Sequence, residues 1–282
     1  TTTTPDLNLL TGNVVKGPLN NALVFADYNS NGIFDLGEPS TRTASDGSFS
    51  LQSTVPGAGF VAITDENTTD SFTGQPMAGI TMKAPAGATV VTPATTLFVE
   101  IAEANPEVKT TDVASALGLG EVNILNFNPF SSEVDPQLAL KTEKVSSQII
   151  TTITTISAAG EGAGASKQKA FEKALNAVTS VVSSKIITNN TNDGTQQNNN
   201  IKPAEIDFTD SSLISEVSVV AKNELASVVN SKNALNNVLD NSVKAIQNVN
   251  NKIETAKSLD DKESVAAFTV TTELNNQVLE AV

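Results

Sequence analysis

The chain has no cysteine, no histidine and no tryptophan, and a single tyrosine, Tyr28, among 282 residues. Each absence removes a class of function. Without cysteine there is no disulfide, no thiolate metal site and no lipid-bearing Cys. Without histidine the Ser-His and Cys-His nucleophile arrangements and most zinc sites are excluded. Carboxylate-only chemistry passes that filter, but a glycosidase needs two carboxyl groups flanking a cleft. No pair in the sequence is marked out for that work, so the chain reads as a non-enzyme. Aromatic residues make up only 4%, too few for a carbohydrate platform of stacked rings. Positive charge is scarce as well: 17 Lys and Arg stand against 31 Asp and Glu, a net charge of −14. Neutralising phosphates needs clustered Lys and Arg, so nucleic acid is disfavoured as a partner, as are anionic membranes. No stretch approaches the ~20 apolar residues of a membrane-spanning helix, and no membrane insertion is expected. No signal peptide is seen. The chain opens on Thr1-Thr2-Thr3-Thr4-Pro5, a linker-like stretch expected of a processed protein or of a piece of a longer one.

What is present is concentrated in residues 27 to 38, Asp27-Tyr28-Asn29-Ser30-Asn31-Gly32-Ile33-Phe34-Asp35-Leu36-Gly37-Glu38. Oxygen-bearing side chains fall at loop positions 1, 3, 5, 9 and 12, with glycine at 6, which is the EF-hand ligand spacing. A hard cation such as Ca²⁺ takes about six to eight oxygens, and a short loop delivers them only if it turns sharply at its centre. Gly32 permits that turn because it adopts positive φ without a Cβ penalty. Position 7 supplies a backbone carbonyl, so the apolar Ile33 fits there. The expected calcium ligands are therefore Asp27, Asn29, Asn31, Ile33 through its carbonyl, Asp35 and Glu38, with Glu38 bidentate.

The flanks favour a structural staple over a sensor or a catalytic ion. A sensor EF-hand has a helix on each side. Here Ala22-Leu23-Val24-Phe25-Ala26 enters the loop as a short, apolar, β-prone run, and Pro39 follows the last ligand. Two of the five side-chain ligands are amides, leaving only Asp27, Asp35 and Glu38 to carry charge. Fewer charges mean weaker binding, with an expected Kd of ~10⁻⁵ to 10⁻³ M, suited to calcium-rich extracellular fluid. Asp65, Asn67 and Asp70 form a second acidic cluster that lacks a central glycine. Asp46 lies on the neighbouring hairpin and is a further candidate oxygen donor. Asp260-Asp261 reads as helix-start charge.

Two halves with different periods follow. Strands are expected near Gly12–Lys16, Ala22–Ala26, Arg42–Thr43, Ser48–Gln52, Phe60–Thr64, Ile80–Lys83 and Thr89–Val91, punctuated by Gly, Asn, Asp and Pro. Asp46-Gly47 is a tight-turn dipeptide, and Phe49 and Leu51 alternate after it with Ser48, Ser50 and Gln52. Short strands at this spacing suggest an antiparallel β-sandwich over 10–92, preceded by an extended segment over 1–9. After Pro93 the period becomes helical. Stripes run through Leu97, Phe98, Ile101 and Ala102; Leu138, Val145, Ile149, Ile153 and Ile156; Phe171, Leu175, Val178, Val182 and Ile186; Ile214, Val217, Ala221, Leu225 and Val228; and Leu235, Leu239, Val243, Ile246 and Ile253. A last stripe joins Ala267, Val270, Leu274 and Val278, behind a capping box over Ser258–Asp261. Asp135-Pro136 reads as an N-cap with Pro at N1. Residues 93–282 are thus expected to form an α-helical bundle, with an Asn-rich polar loop at 188–202. The fold class is α+β.

Several residues together resemble a known kind of module. Gly12-Asn13-Val14-Val15-Lys16-Gly17-Pro18-Leu19 precedes Ala22 to Asp27. Then come Asn31-Gly32, Asp35-Leu36-Gly37-Glu38-Pro39 and Asp46-Gly47-Ser48-Phe49. This pattern resembles the calcium-dependent Ig-like or carboxypeptidase-regulatory-like β-sandwiches of large secreted bacterial adhesins and repeats-in-toxin proteins. It is also similar to the calcium-stabilised B repeats of staphylococcal surface proteins. Ala84-Pro85-Ala86-Gly87-Ala88-Thr89 to Leu97 resembles the strand-to-helix joint of such proteins. The resemblance covers roughly residues 10 to 130. It implies a non-catalytic structural or adhesive role, extracellular or at a bacterial cell surface, with Asp27, Asn29, Asn31, Asp35 and Glu38 on calcium. Other copies of the chain or cell-surface components are the expected partners. A self-assembling filament or surface-layer subunit is one alternative reading, with Thr1 to Asn8 as a donated strand. A ligand- or glycan-binding domain is another.

Overall fold

A computed structural model of the protein describes residues 7–192 and 205–281. The chain is mixed α and β and divides into two compact units. The first runs to Val99 and takes back Asn123–Val134; the second holds Glu100–Val122 and everything from Asp135 on.

The first unit is built from short strands in three sheets. β1 (Asn8–Val14) lies between β5 (Ser48–Ser53) and β9 (Val90–Val91); β4 (Ser40–Arg42), β3 (Leu23–Asp27), β6 (Gly59–Ile63) and β8 (Thr81–Ala84) follow one another in a second sheet; β2 (Leu19–Asn20) pairs with β7 (Thr69–Asp70). The alternation in β5 has a direct cause: Phe49, Leu51 and Ser53 point inward while Ser50 and Gln52 face solvent. Phe49 meets Phe60 of β6 edge-on at 4.9 Å, beside buried Val24, Phe25, Val61 and Met82. One pairing departs from the antiparallel expectation: β1 and β9 run parallel, with Asn13 opposite Val90 and Val14 opposite Val91. Beyond β9, Thr92 and Thr95 cap each other, each hydroxyl accepting from the other's backbone N–H (3.1 and 2.9 Å). That reciprocal cap starts α1 (Pro93–Ala104), and Thr95 Oγ1 ties its first turn to the Lys83 carbonyl at 2.7 Å. Residues 123–134 rejoin the strands because Thr89 N–H and Val90 N–H both donate to the Leu125 carbonyl, and Phe130 packs on Phe72.

The second unit is helical: α2 (Thr110–Ala116), α3 (Pro136–Gly162), α4 (Lys167–Asn192), α5 (Ser211–Leu225), α6 (Lys232–Glu254), α7 (Lys262–Ala267) and α8 (Val270–Glu280). Asp135 caps α3 by accepting from Leu138 N–H at 2.8 Å, with Pro136 at N1. Ile149, Ile153 and Ile156 of α3 are buried, and α3 packs on α4, α6 and α8. At the α6 contact Asn250, fully buried, donates to the Phe208 carbonyl at 2.7 Å.

The structure departs from four sequence expectations. The Asn-rich loop does not begin at 188: α4 continues to Asn192, and residues 193–202 lie outside the described residues. The final stripe is not one helix but two, α7 and α8, interrupted at Phe268–Thr269. Ser258 does not cap; Asp261 is the N-cap of α7, accepting from Ser264 N–H at 2.9 Å. Of the extended N-terminal segment, 1–6 lie outside the described residues, and Asn8 and Leu9 already belong to β1, paired with Ser53 and Gln52.

Candidate functional site

The loop from Asp27 to Glu38 closes a hairpin between β3 and β4. Phe25 pairs with Ser40 and Ala26 N–H donates to the Pro39 carbonyl, so no helix flanks the loop on either side. Its path needs three left-handed residues: Ser30 at φ 58°, Gly32 at φ 72° and Gly37 at φ 98°. Gly32 carries the central turn that the sequence assigns to it.

All five side chains expected on the ion are joined in one hydrogen-bond network. Glu38 clamps the loop's two ends, with Oε1 accepting from Tyr28 N–H (2.8 Å) and Oε2 from Asp35 N–H (2.9 Å). Asp27 holds the turn: Oδ1 accepts from Asn31 N–H (3.2 Å) and Oδ2 from Gly32 N–H (2.8 Å). The amides of Asn29 and Asn31 both donate to Asp35 Oδ2, at 2.8 and 2.7 Å. Their Oδ1 atoms accept from Asn31 N–H and Ile33 N–H, at 3.1 and 2.7 Å, which fixes the orientation of both amides. The Ile33 carbonyl accepts no hydrogen bond among the described residues.

The electrostatics are unbalanced. Asp27 and Glu38 are each only 8% exposed, yet among the described residues neither they nor Asp35 form an ion pair with Lys or Arg. Charge taken out of water calls for compensation. In the structure N–H groups supply it, and two amide NH₂ groups stand in for a cation at Asp35. The donor set, three carboxylates, two amides and one backbone carbonyl, suits a hard cation. No group of three or more acidic side chains in metal-ligating geometry is gathered among the described residues. Filling the loop therefore requires the Asn29 and Asn31 amide hydrogens to turn away from Asp35.

Sequence reasoning missed Tyr28. Its backbone N–H engages Glu38, and its hydroxyl meets Ser53 Oγ at 2.9 Å and accepts from Thr54 N–H at 3.1 Å, anchoring the loop to β5. Burial raises the hydroxyl's pKa, but hydrogen bonds from Ser53, Thr54 and Val55 outweigh it and leave the group below its ordinary value. The only available signal was a lone aromatic at loop position 2.

The second acidic cluster does not form a site. Asp65 pairs with Arg42 at 2.6 Å, whose hydrogen bond holds the carboxyl below its ordinary value. Asp70 turns inward instead. It is fully buried, pairs with Lys16 at 3.4 Å, and accepts from Phe72 and Thr73 N–H. Asp46 stays within its own turn, accepting from Ser48 N–H, with its pKa lowered by the bonds from Ser48. In the helical unit a cavity of about 200 Å³ is lined by Lys185, Glu205, Asp207, Asp210 and Ser212, with Lys185 committed to Glu216 at 2.7 Å. Among the described residues no helix is long and apolar enough to cross a membrane. Compared with family models, curated proteins and solved structures, the chain matches none.

Proposed function

We propose that the first unit is a β-sandwich stapled by one Ca²⁺ in the Asp27–Glu38 loop, and that the second is a helical bundle carried with it. In this reading the chain is a non-catalytic structural or adhesive module, working at a bacterial cell surface or outside the cell. The carrying observation is the linkage of Asp27, Asn29, Asn31, Asp35 and Glu38 in one network, with two buried carboxylates that form no ion pair with Lys or Arg among the described residues. Empty, the hairpin holds three negative charges close together. A divalent ion removes that repulsion and fixes the β3–β4 crossing. With few carboxylates the affinity suits a calcium-rich medium, ~10⁻⁵ to 10⁻³ M. A ligand that binds only the folded state stabilises it by RT ln(1 + [L]/Kd), about 2.7 kcal/mol at a hundredfold excess over Kd. Thermal melts of the intact chain in excess calcium and in chelator test this. Calcium should raise the melting temperature, and Asp27→Ala should abolish the rise. Identical melts in both buffers defeat the reading.

A second reading, a self-assembling subunit, draws on the edge of β1. Among the described residues only Asn13 and Val14 pair with β9, so no described strand covers that edge of Asn8 to Gly12, and Leu7 and Leu9 are exposed beside it. Open edges template pairing with other chains. A concentration-dependent mass in solution, abolished by Thr11→Pro, supports it; a monomer at all concentrations removes it. The glycan-binding alternative is the weaker one, since aromatic residues, on whose rings a sugar stacks, make up only 4% of the chain.

A further inference from the structure

Asn31-Gly32 is the sole Asn-Gly dipeptide of the sequence, and three hydrogen bonds around it each face an atom of a single reaction. Asp27 Oδ2 accepts from the Gly32 backbone N–H at 2.8 Å. The Asn31 side-chain carbonyl oxygen accepts from Ile33 N–H at 2.7 Å. The Asn31 NH₂ donates to Asp35 Oδ2 at 2.7 Å. We propose that Asn31 is a self-modification site, its amide converted to a carboxylate in the folded loop by attack of the Gly32 nitrogen, with Asp27 as the general base.

The chemistry balances without a redox partner. The Gly32 nitrogen attacks Asn31 Cγ, and its proton passes to Asp27 Oδ2, which already lies within the ~2.6–3.2 Å reach a general base needs. Negative charge develops on Asn31 Oδ1, where the Ile33 N–H sits at the ~2.7–3.1 Å distance of an oxyanion donor. The Cγ–Nδ2 bond then breaks. Nδ2 takes up the proton released from Gly32 and leaves as ammonia, and a five-membered imide closes between residues 31 and 32. Solvent water opens the imide at one carbonyl, giving aspartate or its isoaspartyl isomer. Glycine at 32 presents no side chain to block the attack. Asn29 is the internal contrast. It shares Asp35 as partner but is followed by Ser30, and Asp27 does not face the Ser30 N–H.

The consequence rests on the calcium reading above. Conversion to aspartate raises the loop's carboxylates from three to four, and more charge tightens calcium. The aspartyl product would therefore tighten the staple, whereas the isoaspartyl product, which adds a methylene to the backbone between residues 31 and 32, would break the ligand spacing.

The test is peptide mapping by mass spectrometry of the intact chain aged at neutral pH in chelator, against the same chain aged in urea. The folded chain should convert residue 31 at least about tenfold faster than the unfolded one, a modest share of what a positioned base contributes. Asn29 should stay intact, and Asp27→Asn should drop the folded rate to that in urea. Residue 31 remaining an amide in the folded chain, or converting no faster than in urea, overturns the proposal, and this comparison needs no variant to fold. Calcium titration of the Asn31→Asp chain is read separately. Absence of binding there sinks the metal reading while leaving the modification, measured without metal, standing.

Discussion

The buried pair of Lys16 and Asp70 should dominate the stability of the first unit. Lys16 is 5% exposed and Asp70 is fully buried, with Nζ 3.4 Å from Oδ2. Asp70 also holds the turn after β7 through Phe72 and Thr73 N–H, at 2.8 and 3.2 Å. The chain folds tightly around this carboxylate: Gly17 runs at φ 59°, and a Cβ there would collide with Asp70 Oδ1. Asp70→Asn keeps the volume and an acceptor but strands a buried ammonium. Removing one partner of a buried pair costs about 3–5 kcal/mol. Lys16→Met should cost a comparable amount by stranding the carboxylate, whereas the double variant should cost far less than the sum, because both charges are gone. Tyr28, the sole tyrosine in a chain without tryptophan, lies in the first unit and reports its unfolding by fluorescence, independently of the helices. At an m-value of roughly 2 kcal/mol/M, a loss of ~4 kcal/mol lowers the urea midpoint by about 2 M. A single-variant cost below ~1 kcal/mol, or strictly additive costs, would refute the claim that this pair is buried and coupled.

Two further outcomes are expected. Gly32→Ala places a Cβ at φ 72°, 3.2 Å from Lys83 Cε; the left-handed strain should cost about 1–2 kcal/mol, read as a lower urea midpoint in chelator, and an unchanged midpoint would deny the turn at Gly32. Asp65 should titrate below its ordinary 3.8 in the folded chain because of Arg42. Its stabilising contribution is then present above the unfolded pKa and is lost as pH falls through the folded one. Because the pair is exposed, the effect on stability is small, so the check is NMR: Arg42→Gln should move the Asp65 titration upward, and no movement removes the pair.

Much of this was legible wherever the signal is local. Phe49 and Leu51 alternate because β5 has one buried face, and Asp135-Pro136 starts a helix because cap and N1 chemistry act within four residues. The loop's central turn was legible for the same reason: glycine at the sixth position of that spacing marks it, and Gly32 takes φ 72° there. What escaped depends on distant partners. β2 and β7 are two residues each and exist only because Leu19 finds Asp70. The parallel β1–β9 pairing joins residues some 77 positions apart. Asp70 reads in the sequence only as a member of an acidic cluster, because nothing nearby announces Lys16 across 54 positions. The break between α7 and α8 was hidden because Ala267, Val270, Leu274 and Val278 keep an unbroken helical stripe across it. Nor does spacing reveal that Asn29 and Asn31 turn their NH₂ groups toward Asp35; that follows from backbone N–H groups claiming both Oδ1 atoms.

Whether a divalent ion fills the β3–β4 crossing is decided most directly by anomalous diffraction from crystals grown with saturating calcium. The account predicts a peak about 2.3–2.6 Å from oxygens of Asp27, Asn29, Asn31, Ile33, Asp35 and Glu38, with both asparagine amides turned away from Asp35. A loop without a peak, its Asn29 and Asn31 NH₂ groups still on Asp35 Oδ2, would contradict it.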